Sequence, residues 1–353
     1  MSTTVHRGTG TAREAAAPGL VGTNARRSLW LLVCVGVLVL VLLLGIAVGS
    51  KNIPLRTVVE ALLHHDDSGD HIIVWQLRLP RTLLGLVTGA ALGVSGALIQ
   101  ALTRNPLADP GILGVNAGAG FAVTLGVGFL GLSDITGYLW FSFAGAIAVT
   151  ALVYALGSVG RAGATPIRLT LVGVAVGALL GGVSTGITLL RPEVFDTMRS
   201  WGAGSLAGRD GRTVLVVLPF ILAGLALALV AARPLNAIAL GDDLARTLGA
   251  RITRTRVVVI AAVTLLAGAA TAAAGPIGFV GLMVPHVVRW FVGPDQRWII
   301  PYTIVCAPVL LTVADVAGRV VLSSQELRVS VVTAFVGAPV LILLARRAKV
   351  SAL

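Results

Sequence analysis

Few residues in this 353-residue sequence could do chemistry, and their spacing serves it badly. Asp315 and Arg319 lie four apart, one helical turn, and suit an ion pair. His286 follows Pro285 with no second histidine or carboxylate at ligand spacing, so it reads as a hydrogen-bonded histidine at a helix end. His64, His65, Asp66, Asp67, Asp70 and His71 crowd imidazoles and carboxylates that could hold zinc. Nothing fixes their geometry, and a solvated polar loop is the expectation. Cys34 and Cys306 sit far apart in apolar runs, which gives neither a disulfide framework nor a metal site. Both read as small buried apolar residues. A phosphate-binding loop needs a lysine directly after a glycine, and neither Lys51 nor Lys349 follows one. The sequence thus lacks a nucleophile–base pair, a ligand set and a nucleotide cradle. No metal and no cofactor are expected.

The elements that must carry these residues are set by lipid. Hydrophobic residues make up 56% and charged residues 12% of the chain, against about 25% charged in a soluble domain. Unpaired backbone groups in hydrocarbon cost several kcal/mol each, so only helices and closed barrels cross it. The charge-free runs are Leu29–Ser50, Thr82–Thr103, Gly111–Ser133, Ile135–Gly160, Leu169–Leu190, Thr213–Ala232, Val257–Val288, Trp298–Ala314 and Val329–Ala345. They far exceed a barrel strand and match a membrane helix. Val257–Val288 is too long for one straight span, and Gly275-Pro276-Ile277-Gly278 interrupts it. Two shorter helices meeting near the outer surface are therefore expected. The fold class is all-α, a polytopic membrane protein of about ten transmembrane helices.

Loop charge gives the orientation. With ten spans and both termini cytoplasmic, the inner segments hold 17 Lys and Arg and the outer ones 10. Reading the broken run as one span levels that split to 14 and 13. Residues 1–28 read as a disordered cytoplasmic tail, and residues 29–353 as the transmembrane domain. Arg26-Arg27-Ser28-Leu29 faintly resembles a twin-arginine export signal, but the apolar run behind it is too long for a cleaved signal.

Small residues recur every four positions at Gly85, Gly89, Gly93 and Ala97, and again at Gly173, Gly177 and Gly181. Such stripes let helix backbones approach closely; the second also makes its helix a candidate wall of a transport pathway. Midplane carboxylates are missing, which argues against a proton- or sodium-driven carrier, the alternative transport class. In the most basic inner loop, Leu240, Leu244 and Leu248 recur at i, i+4 and i+8. Gly241 with Asp242 and Asp243 can start a short helix around Ala245, and Gly249 can end it. Such a helix could lie on the membrane or meet a partner. Arg78 and Arg81 flank Pro80 at the outer end of a span, where they could anchor the interface or meet carboxylates.

Three stretches carry a resemblance: QLRLPRTLLGLVTGAALGVSGALIQALTRNPLADPGILGVNAGAG, LNAIALGDDLARTLGA, and AAGPIGFVGLMVPHVVRWFVGPDQR with the later ADVAGRVVL and VVTAFVGAPV. From about Leu29 to the C-terminus the chain resembles the FecCD-type permease subunits of iron-siderophore, haem and cobalamin ABC importers. The resemblance implies a multi-pass subunit of the bacterial cell membrane that is no enzyme and binds no nucleic acid. Its implied partners are an ABC ATPase, an extracytoplasmic substrate-binding protein and a second permease, identical or paralogous. It further implies that Arg78, Arg81 and Arg319 receive the binding protein's carboxylates. The segment Leu240, Gly241, Asp242, Asp243, Leu244, Ala245, Leu248 and Gly249 would couple to the ATPase. Ferric siderophore is the cargo the resemblance favours, with cobalamin or haem the alternative. One departure stands out: many members read E-x-P-x-G where this chain has Glu326-Leu327-Arg328-Val329-Ser330. A rigid turn is lost there and a positive charge gained.

Overall fold

The computed structural model describes residues 20–49, 51, 53–64, 66, 68–132, 135–159, 165–322 and 325–347. Most of the expected tail, residues 1–19, lies outside the described residues, as do His65 and Asp67. Every regular element described is helical. α1 (Asn24–Ala47) is followed by α2 (Leu55–Leu63) and α3 (Gly69–Ile72), which runs through a π-helical stretch, Ile73–Arg78, into α4 (Leu79–Thr103). A 3-10 turn, Pro110–Leu113, leads to α5 (Val115–Leu130), α6 (Ile135–Gly157), α7 (Pro166–Leu190) and α8 (Pro192–Trp201). Then come α9 (Gly211–Ala239), α10 (Asp242–Thr247), α11 (Ile252–Ala274), α12 (Val280–Val292), α13 (Gln296–Val320) and α14 (Val329–Arg347).

Among the described residues seven helices are long and apolar enough to cross a bilayer, and α5, α12 and α14 are shorter apolar helices. The expected break in Val257–Val288 is present: α11 ends at Ala274, and α12 resumes after Gly275 and Phe279, both at positive φ. The Ser205 N–H donates to the Ala274 carbonyl, so the α8–α9 connection covers the exposed end of α11. Other boundaries differ from the charge-free runs. α13 continues through Asp315 and Arg319 because each neutralises the other within the helix. α1 starts at Asn24 rather than Leu29: the Thr23 hydroxyl caps the Arg26 N–H at 3.4 Å, and Leu20 and Val21 donate to the carbonyls of Trp290 and Phe291. Residues 20–28 are therefore held against α12. α2 was not legible as a helix in the segment after α1, since nine residues carry too short a period.

α4 and α11 form the centre of the bundle and are buried along most of their length, while α1 and α7 are largely exposed. The first glycine stripe does what small residues do without a hydrophobic driving force. Gly85 faces Thr312, Gly89 backs onto Pro308, and Gly93 meets Thr303 and Ala307, all on α13. A closer approach lies one turn on, at Gly96, where a β-carbon would collide with the Gly281 carbonyl of α12. Gly181 on α7 opens onto free space. Gly96→Ala should therefore lower the melting temperature of the detergent-solubilised chain, since overpacking costs about 1–3 kcal/mol. Gly181→Ala should hold or raise it, as alanine is the better helix former. Fluorescence-detected thermal unfolding compares the two.

Cys34 on α1 and Cys306 on α13 are both free and half-buried rather than fully buried. The packing of α1 on α13 brings them within electrostatic reach of each other, a nearness their distance in sequence does not show.

Candidate functional site

The three arginines singled out by sequence converge at one end of the bundle, and their surroundings differ from a bare docking surface. The last carbonyls of α1 have no partner within the helix. Arg78, at the end of the π-helical stretch, donates to Ile46 O at 2.8 Å and Ala47 O at 2.6 Å, and also to Lys51 O. Arg319 on α13 donates to Gly45 O at 2.7 Å and Val48 O at 3.2 Å. Both guanidiniums are buried, at 6% and 5% exposure. Arg78 and Arg319 thus close the end of α1, an internal role that sequence alone did not reveal.

Asp315 is the hub. Its carboxylate takes a two-pronged contact from Arg81, Nε at 3.0 Å and Nη2 at 2.9 Å, and is paired by Arg319 from the next turn. Arg81 reaches on to Glu326 at 2.7 Å. Three helices are therefore joined by one buried charge network, which the i, i+4 spacing of Asp315 and Arg319 only hinted at. The departure at 326–330 keeps an ordered turn by other bonds: Leu327 N–H to Gly318 O at 2.8 Å, Arg328 to Arg199 O at 2.8 Å, and the Ser330 hydroxyl to Ala203 O. A surface depression of about 430 Å³ opens over the cluster, lined by Lys51, Gln76, Arg78, Arg81, Arg319, Glu326 and the Gly208–Asp210 segment.

At the opposite end of α4, about 37 Å away at 1.5 Å per residue, lies the short α10. The expected boundaries are met. Gly241, at φ +112, and Gly249, at φ +79, turn the chain in and out, and L side chains rarely adopt such angles. Ala245 is fully buried with Ile238 and Ile252. Leu240, Leu244 and Leu248 face away, at 56%, 44% and 63% exposure. Asp242 anchors the helix: it accepts from Arg104 at the end of α4 at 2.5 Å and from Arg256 of α11 at 2.8 Å. Asp243 pairs with Arg246 at 2.9 Å on the exposed side. The result is a leucine ridge fixed to the two central helices.

The remaining candidates divide. Gly173 is a packing residue, since a β-carbon there would strike the Ile112 carbonyl, and Gly177 lies against Ala117. Gly181 stays open, as do Gly182 and Gly186 beside it. His286 corrects its expectation: it sits inside α12, its Nδ1 is buried without a partner, and its ring packs edge-on against Trp290 at 4.9 Å. The acidic loop holds pairs: His71 with Asp66 at 2.7 Å and Lys51 with Asp70 at 2.5 Å.

The profile of the FecCD transport family matches residues 19–347. The ferric enterobactin transport system permease protein FepD of Escherichia coli is 51% identical over 311 residues, 88% of this chain and 92% of that protein. The iron(3+)-hydroxamate import system permease protein FhuB of Bacillus subtilis is 43% identical, covering 86% of this chain and 79% of its own length. Among solved structures, an inward-facing conformation of a transporter described as the metal-chelate ABC type superposes with a TM-score of 0.79 at 25% identity, over 91% of this chain and 99% of the other. A buried helical core, a cationic cluster at one end, a leucine ridge at the other and a match over nearly the whole length agree, and this chain belongs to the FecCD transport family.

Proposed function

We propose that this chain is the membrane-spanning permease subunit of a binding-protein-dependent ABC importer for ferric siderophore. The observation that carries the reading is its 51% identity to the ferric enterobactin permease over 88% of the chain. Among the described residues, seven long and three shorter apolar helices support ten spans. The excess of Lys and Arg in alternate loops supports cytoplasmic termini, with α10 inside and the arginine cluster outside.

In this reading a separate ATPase subunit receives the ridge of Leu240, Leu244 and Leu248. The anchors from Asp242 to Arg104 and Arg256 pass its movement to α4 and α11. The binding protein docks over the depression framed by Arg78, Arg81 and Arg319. α7 presents its open glycine face, Gly181 with Gly182 and Gly186, to a second permease, identical or paralogous, and that seam is the pathway wall.

The test is co-purification of the chain with the ATPase and binding protein encoded beside its gene, followed by ATP hydrolysis with and without loaded binding protein. Stimulation by the ferric siderophore-loaded form supports the reading. Stimulation only by a cobalamin- or haem-loaded protein keeps the importer and changes the cargo. Absence of any complex with an ATPase overturns it.

A further inference from the structure

Arg233, Arg246, Arg251, Arg254 and Arg256 fall between the last turns of α9 and the first turns of α11, at the end of the bundle that carries α10. Two of them are committed to the fold: Arg256 pairs with Asp242 at 2.8 Å and Arg246 with Asp243 at 2.9 Å. Arg233, Arg251 and Arg254 are exposed and have no ion-pair partner among the described residues. Arg251 and Arg254 stand three apart, so they share one face. With Ile252, Thr253, Val257 and Val258 they line an open cleft of about 530 Å³. Ile252 gives the cleft a fixed wall, since it is buried with Ala245 of α10 and Ile238 of α9.

The chemistry changes abruptly along this cleft. Arg251 immediately precedes α11 and Arg254 lies in its first turn, whereas the charge-free run of the span begins at Val257. Val257 is exposed and Val258 half-buried. A cationic rim thus meets an apolar floor where a membrane helix enters hydrocarbon. Basic clefts at that level suit anionic lipid headgroups. The valines decide between sources of the anion. A free phosphate or an acidic soluble protein could meet the arginines, but neither covers apolar surface that belongs to the span. An acyl chain attached to the phosphate covers it.

We infer that Arg251 and Arg254 hold the phosphodiester headgroup of an anionic phospholipid, whose acyl chain lies along Val257 and Val258. The inference goes beyond the importer reading and does not depend on it, because it needs only that α11 crosses a bilayer. The bound lipid sits directly beside α10, which meets the base of α11 through Ala245 and Ile252.

The experiment uses the full chain in mild detergent, mixed with phosphatidylglycerol or with phosphatidylcholine of the same acyl chains. Bound lipid is counted by native mass spectrometry, and melting temperature is followed in parallel. Wild type should retain phosphatidylglycerol over phosphatidylcholine by about tenfold or more, and phosphatidylglycerol should raise its melting temperature. Arg251→Gln and Arg254→Gln should each lose about fivefold of that preference, the usual effect of one basic residue near an anionic headgroup. The double variant should lose both the preference and the lipid-induced rise. Its melting temperature without lipid should match wild type, since no internal bond is removed. Arg233→Gln removes an exposed charge at the same end but outside the cleft, and should stay within about twofold. Inorganic phosphate should neither raise the melting temperature nor displace the lipid. Equal retention of the two lipids by wild type overturns the inference, as does an unchanged preference in the double variant. Displacement of phosphatidylglycerol by inorganic phosphate at matched ionic strength also overturns it and assigns the arginines to a free anion.

Discussion

Asp315→Asn should yield far less folded protein than wild type, with a much lower melting temperature in detergent. The carboxylate is 2% exposed and faces two guanidiniums, those of Arg81 and Arg319, with Arg78 close behind. Removing one partner of a buried pair leaves uncompensated charge and costs about 3–5 kcal/mol. Here the loss is compounded, because the remaining cations repel one another and Arg319 also loses its hold beside the α1 carbonyls. An amide keeps the shape and one acceptor, so packing does not change. Glu326→Gln provides the contrast, since that side chain is 41% exposed and its ion pair is with Arg81. Its effect should stay within about 1 kcal/mol. Fluorescence-detected size exclusion after a temperature ramp measures both. An Asp315→Asn protein as stable as wild type would mean that the network is decoration.

The second large effect is expected at the opposite end. Leu244→Asp with Leu248→Asp should abolish co-purification of the ATPase and cut uptake to background. Both leucines are exposed in the isolated chain, so the change should leave expression and melting temperature near wild type. Burying a leucine contributes about 1.5–3 kcal/mol, and two such losses weaken association by on the order of hundredfold or more. Gly241→Trp attacks the same element differently. The backbone there stands at φ +112, where an L side chain is strained, so the ridge should be displaced rather than made polar. ATP hydrolysis should then proceed without transport. Retained association and uptake in the Leu244→Asp, Leu248→Asp protein would remove α10 from the coupling role.

The sequence read well where a single periodicity decided the outcome. The charge-free runs predicted every long helix, the Gly-Pro-Ile-Gly break separated α11 from α12, and two glycines bounded α10. It read poorly where partners lie far apart in the chain. Arg78, Arg81 and Arg319 were placed together at one end, but spacing cannot show that Arg78 and Arg319 are turned inward onto carbonyls of α1. Nor can it show that Asp315 serves two arginines, one of them 234 residues away. The nearness of Cys34 and Cys306 is hidden in the same manner, since only the packing of α1 on α13 brings them together. His286 was misread because a proline before a histidine suggested a helix end, whereas Pro285 lies inside α12.

The capping of α1 also bears on how the protein is made. α1 leaves the ribosome long before α13, yet some of its terminal carbonyls take donors from later in the chain. Arg78 arrives soon after. The bonds to Gly45 and Val48 come from Arg319, 274 residues beyond Gly45. Synthesis proceeds at about 5–20 residues per second, so α1 spends many seconds in the membrane before the donor that Arg319 of α13 supplies to Gly45 and Val48 exists. Membrane insertion of this chain is thus not a sequence of finished helices laid side by side. An early helix is completed by a late one, and a chain cut short before α13 leaves the end of α1 without the Arg319 donor.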